Sequence, residues 1–446
     1  MPSVSRRTFL AGTAGVAAVA ALAACGSDKK AAPTTATTAA AGSTTTASAA
    51  EVTTTTAAKA AGKTVSFGSN QSDAKPKNAV QAMMDAYKAK SGNDVKVNTV
   101  DHNTYQEQIT SYLGGTPDDV YSWFAAFRMQ SLVNQKLAGD ISDVWSGLKN
   151  QTDGVKAAST AADGKQYFIP LYYYPWAVFF RKSLFKEKGY TAPKTLAEFK
   201  ALGDKMKADG LTPIAFGNDG KWPAMGTFDY LNLRTNGFKF HTELMAGKQA
   251  WDSAEVKAVF KTWAELLPYH QAGASARKWE DAAASLVKKE SGMYTMGMFV
   301  SSQFKNEDLG DLDFFPFPEI NPKHGQTSLE APIDGYMMAP SPKDAAGAKS
   351  LLSFLASGDA ANAYLKIDPG NLACATDADT SGYNDLQKKA LVLCTGAKHV
   401  TQFLDRDTLP AFAGPAGEAF DAFLQKPGDI DTILKNLAAK AKEIFV

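Results

Sequence analysis

The run of β-forming residues at 166–181 constrains the fold more than any other stretch of this 446-residue chain. Tyr, Phe, Ile, Trp and Val dominate the run, and only Pro170 and Pro175 interrupt it. Because a proline cannot donate a hydrogen bond to a neighbouring strand, each one marks a strand end or an edge. The pattern therefore predicts two strands, at residues 166–169 and 177–181.

The bridge between these strands, residues 171–176, carries four aromatic rings: Tyr172, Tyr173, Tyr174 and Trp176. The rings lie where the chain would leave one sheet and enter another. They fit an aromatic core cluster, and they fit equally the floor of a ligand cleft between two lobes. The residue types alone leave both interpretations open.

Length and the order of the elements indicate a multidomain α/β protein. A chain of 446 residues suggests two or three domains. A strand at 64–68, a helix at 79–89 and a strand at 94–100 form a β-α-β unit, which is typical of a sheet with crossover helices. The net charge of +1 gives no reason to expect a nucleic-acid partner.

The first 24 residues have the pattern of an export signal. Arg6 and Arg7 match the twin-arginine motif, and residues 11–24 form a short, weakly apolar stretch. Leu22-Ala23-Ala24 directly precedes Cys25, as in a lipobox, so Cys25 is the predicted lipidation site. An ordinary signal peptide with an incidental cysteine remains the alternative.

Residues 25–62 are predicted to be a disordered tether that begins at the lipidated cysteine. Of the 37 residues from 26 to 62, 24 are Thr or Ala, and almost none is large and apolar. Such a segment lacks the apolar surface needed to form a core. The folded part is therefore expected to start at Lys63.

Residues 163–199, DGKQYFIPLYYYPWAVFFRKSLFKEKGYTAPKTLAEF, carry a family resemblance. This stretch resembles the hinge region of extracellular solute-binding proteins of ABC importers, of the carbohydrate (maltodextrin and multiple-sugar) type in bacterial solute-binding family 1. Phe180-Arg181-Lys182 stands where that family usually has Tyr-Asn-Lys. The resemblance runs from about residue 63 to the C-terminus and is specific for the class but not for the ligand.

The resemblance implies an α/β, two-lobed periplasmic-binding-protein-like fold with a hinge and an interlobe ligand cleft. Lobe 1 would comprise residues 63–175 with about 319–368. Lobe 2 would comprise residues 176–318 with about 369–446. A solute that touches both lobes would close them around itself.

Candidate ligand contacts come from segments far apart in the chain. Ligands of α/β sheets bind beyond the carboxyl ends of strands, which points to Asn70 and Asp73 after the first strand. Plain turn chemistry explains those two residue types equally well. The resemblance adds residues at strand ends, in the crossover and in loops: Trp123, Phe124, Tyr173, Tyr174, Trp176, Trp222, Phe299, Asp334 and Tyr336.

Other chemistry is sparse in the sequence. Cys374 and Cys394 are the only cysteines besides Cys25, and as extracytoplasmic thiols they form a candidate disulfide. The five histidines have no metal-ligand spacing, and no phosphate-binding loop or nucleophile motif occurs. We therefore expect no cofactor, no metal and no enzymatic activity.

The sequence thus predicts a lipid-anchored, monomeric receptor on the extracytoplasmic face of the bacterial cell membrane. It would capture a mono- or oligosaccharide and deliver it to the permease subunits of an ABC transporter. A peptide, a polyamine or a polyol phosphate are alternative ligands. A lipid-anchored glycosidase and a cell-wall scaffold are alternatives of a different class.

Overall fold

The computed structural model describes residues 64–445. The predicted signal peptide, the lipidation site and the tether lie outside the described residues. The strands are β1 (Thr64–Ser69), β2 (Asp94–Thr99), β3 (Val120–Phe124), β4 (Phe168–Tyr173), β5 (Trp176–Arg181), β6 (Thr212–Ile214), β7 (Ser291–Gly297), β8 (Leu312–Phe315), β9 (Ser328–Glu330), β10 (Ile333–Met338), β11 (Leu372–Ala373) and β12 (His399–Thr401).

Helices alternate with these strands along most of the chain. They are α1 (Ala74–Ser91), α2 (His102–Gly114), α3 (Phe127–Asn134), α4 (Ser142–Gly147), α5 (Asp153–Ala158), α6 (Lys182–Lys188), α7 (Leu196–Ala208), α8 (Trp222–Thr235), α9 (Gly237–Met245), α10 (Ala254–Leu266), α11 (Trp279–Val287), α12 (Ala345–Leu355), α13 (Gly358–Leu365), α14 (Asp385–Gly396), α15 (Leu404–Asp407), α16 (Pro410–Gln425) and α17 (Ile430–Ile444).

Two main sheets form the cores of two lobes, as predicted. The first has six strands in the order β11-β4-β10-β3-β1-β2, and the second has four in the order β6-β7-β5-β8. β9 and β12 form a separate parallel pair. The α/β class with parallel β1, β2 and β3 follows from the β-α-β rhythm of the first 60 folded residues.

The chain first crosses from one sheet to the other between β4 and β5. Only Tyr174 and Pro175 separate these strands, so the crossover is shorter than the predicted bridge at 171–176.

Strand β4 also runs through Pro170, where the sequence predicts a strand end. On one side of β4, Pro170 is opposite Gly335 of β10, at the point where the register between these strands shifts. On the other side, the two-residue strand β11 pairs only with Tyr172 and Tyr173. The missing N–H therefore leaves no regular ladder bond unmade.

Two further segments differ from the sequence-based expectations. The sequence pattern places Phe124 at the start of a helix, but it is the last residue of β3. β11 pairs with β4 in the six-stranded sheet, although residues from about 369 onward are predicted to belong to the other lobe. The lobe boundaries themselves remain predictions.

The two cysteines of the folded part are both free thiols, so the candidate disulfide is wrong. Cys374 is buried in the cluster that contains Trp123 and Phe168, and its backbone N–H donates to the carbonyl of Leu171 at 3.0 Å. Cys394 lies near the end of α14, partly buried against the other core cluster. A shared compartment and an even number of cysteines in the folded part make a disulfide possible, but they do not show that the two sulfur atoms lie close together.

Helices α8, α10, α16 and α17 pack around a core of aromatic rings in the second lobe. Phe228 stacks on Trp251 and Phe420 at 5.4 and 4.8 Å between ring centroids. Trp251 and Trp263 are fully buried in this core. Among residues 64–445, none of the helices has both the length and the apolar character needed to cross a membrane.

Gly226 of α8 packs closely against Trp176, the first residue after the crossover, and a substitution can test this contact. A Cβ added to Gly226 would overlap the indole ring of Trp176, which is 1% exposed. We expect Gly226→Ala to lower the free energy of unfolding by about 1–3 kcal/mol, because an overpacked core must shift its side chains. Urea denaturation measures this change.

Gly154 is the matched control for Gly226. It lies exposed in α5, and a Cβ there would meet no atom within 4 Å. Gly154→Ala should therefore raise the free energy of unfolding by about 0.5–1 kcal/mol, since alanine loses less backbone entropy in a helix. Equal effects of the two substitutions would contradict the close packing of α8 on the crossover.

Candidate functional site

A cavity lies between the two main sheets, at the carboxyl ends of β1 and β3 and beside the crossover. Its volume is about 90 Å³. Its polar lining comes from Asn70, Gln71, Ser72, Asp73, His102, Gln106, Ser302, Asp334, Asp368, Asn371, Asp405 and Arg406. Its apolar and aromatic lining comes from Pro76, Phe124, Tyr172, Tyr174, Trp176, Trp222, Trp279, Phe299, Tyr364 and Phe403.

One side of the cavity is an aromatic wall, formed by Trp176, Trp222, Trp279, Phe299 and Phe403. Trp222 is central and half-buried, with its ring 6.1–6.3 Å from those of the other four. The Trp279 and Phe299 rings meet edge to face at 5.2 Å. Trp222 follows the Gly/Asn-rich loop after β6, which leaves its outer face open to the cavity. Such rings offer flat apolar faces to the C–H groups of a ligand.

The cavity also borders a charge network of Asp334, Arg406, Asp405 and Arg128. Arg406 Nη1 lies 2.7 Å from Asp334 Oδ1, and Arg128 Nη2 lies 3.6 Å from Asp405 Oδ2. The four side chains are only 8–14% exposed. The Arg406 guanidinium also lies 4.2 Å from the centre of the Phe124 ring. Two buried cations thus balance two buried carboxylates.

The ionisation of this network follows from its burial and its pairing. Desolvation disfavours the charge of Arg406, but Asp334, Tyr174 and Asp405 together outweigh it and raise the pKa of Arg406 above its usual value. Burial raises the pKa of Asp334, although Arg406 acts in the opposite direction. Tyr174 joins the network, since its hydroxyl lies 3.3 Å from Arg406 Nη2 and 3.4 Å from Asp334 Oδ2.

A second polar group of the lining consists of Asp368 and Asn371, which are 2% and 1% exposed. Among the described residues, neither Asp368 Oδ1 nor Asn371 Oδ1 has a hydrogen-bond donor. The Tyr364 hydroxyl donates to Asp368 Oδ2 at 3.4 Å. Burial raises the pKa of Asp368 to about 6. Both free oxygens can accept hydrogen bonds from a ligand.

His102 supplies a neutral ring to the cavity. Burial, and after it the charge of Arg406, lowers the pKa of His102 to about 4. Its Nε2 lies 2.9 Å from Gln106 Nε2, so the ring nitrogen there accepts the amide hydrogen. No group of three or more metal-ligating side chains occurs within the described part of the chain.

Side chains from both lobes meet across the mouth of the cavity. Lys75 of α1 donates to the carbonyl of Phe304, and Gln303 Nε2 donates to Asp73 Oδ2 at 3.4 Å. The rings of His102 and Trp222 lie 6.4 Å apart across the same gap. The lobes therefore touch around the cavity, as in a closed cleft.

The family model for bacterial extracellular solute-binding proteins matches residues 82–391 of this chain. The chain belongs to that family. This assignment agrees with the class that the crossover sequence predicts and with the two-lobed α/β fold.

Individual relatives support the assignment. The solved structure of the bacterial solute receptor AcbH, described by an exclusive substrate preference for β-D-galactopyranose, is 41% identical. It superimposes with a TM-score of 0.85 over 86% of this chain and 100% of that one. An uncharacterized ABC transporter extracellular-binding protein of Pyrococcus horikoshii is 25% identical over 62% of each chain. The alpha-glucosides-binding periplasmic protein AglE of Rhizobium meliloti is 27% identical over 56% of this chain.

The match to the two curated relatives is partial. It spans 62% of the Pyrococcus protein and 60% of AglE, so this solute-binding protein covers less than two thirds of their length.

Eight of the residues predicted from the sequence of this solute-binding protein do line the cavity. They are Asn70, Asp73, Phe124, Tyr174, Trp176, Trp222, Phe299 and Asp334. Their contact with a ligand stays a prediction. Asn70 is fixed by Ser122, whose hydroxyl accepts from the Asn70 backbone N–H and donates to Asn70 Oδ1, both at 2.9 Å.

Three predicted residues do not reach the cavity. Trp123 is 3% exposed with its ring 5.1 Å from that of Phe124, and its indole N–H donates to the Arg128 carbonyl at 3.1 Å. Tyr173 faces the Cys374 side of β4, because neighbouring residues of a strand point to opposite faces. Tyr336 is 3% exposed beneath α1, with its ring 5.3 Å from that of Phe67 and its hydroxyl 3.9 Å from the Met83 sulfur.

The sequence-based site lacks fourteen of the lining residues. Tyr172 precedes Tyr173 in β4 and points to the opposite face, so strand alternation could have identified it. His102 follows β2 and could have been placed by the rule that puts ligands at the carboxyl ends of strands. The same rule covers Gln71 and Ser72, which follow β1 in the turn that contains Asn70 and Asp73. No local pattern marks the others: Pro76, Gln106, Trp279, Ser302, Tyr364, Asp368, Asn371, Phe403, Asp405 and Arg406.

Proposed function

We propose that this chain is the receptor of an ABC importer and that it captures a sugar in the cavity between its lobes. The proposal rests on one observation, which is that the same cavity contains both the aromatic wall and oxygens that accept hydrogen bonds. A pyranose has apolar C–H faces and hydroxyl groups at its edge, so it matches both surfaces at once. The proposed lobes are residues 63–175 with about 319–368 and residues 176–318 with about 369–446, except that β11 pairs into the sheet of the first lobe.

The charge of the lining argues for a ligand without negative charge. Asp73, Asp334, Asp368 and Asp405 face the cavity, whereas Arg406 is its one lining cation among the described residues. A phosphate or a uronate would meet more carboxylates than guanidinium groups. A neutral sugar instead donates its hydroxyl hydrogens to carboxylate oxygens. A polyol phosphate is therefore the weakest of the alternative ligands.

The size of the cavity supports a monosaccharide. A cavity of about 90 Å³ is too small for a chain of several sugar rings. That space suits one sugar ring. The 41% identity to a receptor described as preferring β-D-galactopyranose makes a galactose-like hexopyranose our proposed ligand.

The setting of the receptor is part of the same proposal. We propose export through the twin-arginine signal at residues 1–24, lipid attachment at Cys25, and a tether over residues 25–62 that holds the monomer at the extracytoplasmic membrane face. Closed, sugar-loaded lobes would dock on the permease. The chain would release its ligand unchanged, and ATP hydrolysis would belong to another subunit. Membership of a binding-protein family and the paired twin-arginine and lipobox patterns support this setting.

The test is a thermal-shift screen of the purified chain against D-galactose, other monosaccharides, disaccharides, polyamines, peptides and polyol phosphates. A ligand that binds only the native state raises the melting temperature with its concentration. We expect a dose-dependent rise with D-galactose or a close epimer. A rise with a polyamine alone would reassign the site to an amine, because the same aromatic rings and carboxylates also suit a cation.

A further inference from the structure

Arg128 of α3 contacts the cavity lining without belonging to it. Its side chain is 14% exposed, and it is not one of the residues that line the cavity. The guanidinium carbon lies 4.9 Å from the centre of the Trp123 ring and 5.4 Å from that of Phe124. Because the Trp123 indole N–H also donates to the Arg128 carbonyl, strand β3 holds both the backbone and the side chain of this residue.

The backbone that leads into α3 has an uncommon conformation. Ala126, two residues before Arg128, has a φ angle of 57°, which residues with a Cβ atom rarely adopt. Its N–H donates to the carbonyl of Ala158 at 3.1 Å, and the N–H of Ala125 donates to that of Ile333 at 3.3 Å. Such a conformation persists where the surrounding structure imposes it, so the start of α3 is fixed in place.

The Arg128 guanidinium holds two residues of the lining, Gln106 and Asp405. Gln106 Oε1 accepts from Arg128 Nη2, and Asp405 Oδ2 lies 3.6 Å from the same nitrogen. A guanidinium has N–H donors and no acceptor. The end of the Gln106 carboxamide that faces Arg128 must therefore be its oxygen, and the NH₂ group must point the other way.

The NH₂ group of Gln106 faces His102. Gln106 Nε2 lies 2.9 Å from His102 Nε2, and an amide nitrogen only donates. His102 Nε2 must therefore carry no hydrogen, so the single hydrogen of this neutral ring is on Nδ1. Within residues 64–445, Gln106 Nε2 has no other hydrogen bond. Since Gln106 is half-buried in the cavity lining, its second N–H is available to a ligand.

A neutral donor at this position complements a lining that is rich in acceptors. The lining carboxylates are Asp73, Asp334, Asp368 and Asp405. Carboxylates accept hydrogen bonds, whereas the ring oxygen of a pyranose has no hydrogen and can be bound only by a donor. Arg406 is already paired with Asp334 at 2.7 Å. Gln106 can therefore supply a contact that the acids cannot.

We propose that Arg128 is a positioning residue that fixes the orientation of the Gln106 carboxamide, so that Gln106 donates one hydrogen bond to His102 and one to an oxygen atom of the sugar. Arg128 acts through Gln106 and does not touch the ligand. The sugar contact rests on the proposed function, whereas the orientation of Gln106 and the tautomer of His102 do not.

The tautomer of His102 tests the orientation without any ligand. ¹⁵N NMR of histidine-labelled protein, with His102→Gln to assign the signal, should show the hydrogen on Nδ1 in the wild type. Gln106→Glu places a carboxylate oxygen opposite His102, so Nε2 should then carry a hydrogen. Arg128→Met removes the donor that orients the amide and should give a mixture of tautomers. Loss of the ion pair with Asp405 alone would not change the group that faces His102 Nε2.

Sugar affinity tests the contact with the ligand. Gln106→Glu keeps an acceptor for Arg128 but loses the NH₂ donor, so titration calorimetry should show D-galactose binding weakened about tenfold. Gln81→Glu is the matched control, because Gln81 is exposed on α1 and bonds only to Asp85, at 2.8 Å. It should keep the affinity and the His102 tautomer of the wild type.

Each measurement can contradict the proposal. A hydrogen on Nε2 of His102 in the wild type, or a tautomer unchanged in Arg128→Met, would overturn the orientation of Gln106. If Arg128→Met does not fold, the wild type and Gln106→Glu still decide the tautomer. Wild-type affinity for D-galactose in Gln106→Glu would overturn the sugar contact. If no sugar binds but the tautomers behave as stated, the orientation stands and the proposed ligand fails.

Discussion

Replacing Arg406 with methionine should abolish detectable sugar binding and lower the free energy of unfolding by about 3–5 kcal/mol. Arg406 is the partner of Asp334 at 2.7 Å, and its side chain is 8% exposed. The variant would leave Asp334 buried without its cation, with Asp405 of the same network nearby. A buried charge that loses its partner keeps its desolvation penalty, so the loss exceeds that of an exposed pair. Urea denaturation and isothermal titration calorimetry measure the two effects.

Lys90→Met is the control for that substitution. Lys90 pairs with Asp359 at 2.7 Å, but both side chains are more than 60% exposed. Removing this pair should change the free energy of unfolding by no more than about 1 kcal/mol and leave sugar affinity unchanged. If Arg406→Met were as mild as Lys90→Met, Arg406 would not be the buried centre of the charge network.

The second large effect is expected at Trp222. Trp222→Ala should weaken sugar binding by about 2 kcal/mol, or roughly thirtyfold, because it removes the central ring of the aromatic wall. The half-buried ring contributes less to the core than to the cavity, so the melting temperature should fall only slightly. Titration calorimetry with D-galactose, beside a thermal melt of each variant, separates the two quantities.

Trp123→Phe provides the comparison for Trp222. Trp123 is 3% exposed and is not a lining residue of the cavity, and its indole N–H donates to the Arg128 carbonyl. The substitution removes that hydrogen bond but keeps a ring, so stability should fall by about 1 kcal/mol while sugar affinity stays within about twofold. A larger loss of affinity in Trp123→Phe than in Trp222→Ala would contradict the placement of the cavity.

The fold could be predicted from local features of the sequence, whereas only part of the site could. Runs of β-formers, helix caps and the crossover at residues 163–199 are patterns of neighbouring residues, and they predict the α/β lobes. Strand alternation shows why the site prediction was uneven. Within β4, Tyr172 faces the cavity and Tyr173 faces the opposite side, whereas Tyr174 lies beyond the strand. Treating the adjacent rings as one group therefore mixed two surfaces.

The unpredicted part of the site depends on contacts between distant segments. Arg406 and Asp405 are adjacent in the chain, which suggests a local ion pair, but Arg406 pairs most closely with Asp334, 72 residues earlier. Asp368 and Asn371 have no periodicity or motif, and they line the cavity only because β11 returns to the first sheet. The disulfide prediction was wrong for the same reason, since the presence of two thiols in one compartment does not show how far apart they are in the fold.

The most direct test of the central proposal is isothermal titration of the purified chain with D-galactose, run beside Trp222→Ala. One-to-one binding by the wild type, weakened roughly thirtyfold in the variant, is the result that a sugar receptor with this cavity predicts. If the folded chain released no heat with D-galactose or any other sugar, and instead bound a polyamine with the same dependence on Trp222, the cavity would be an amine site. The sugar proposal would then be wrong.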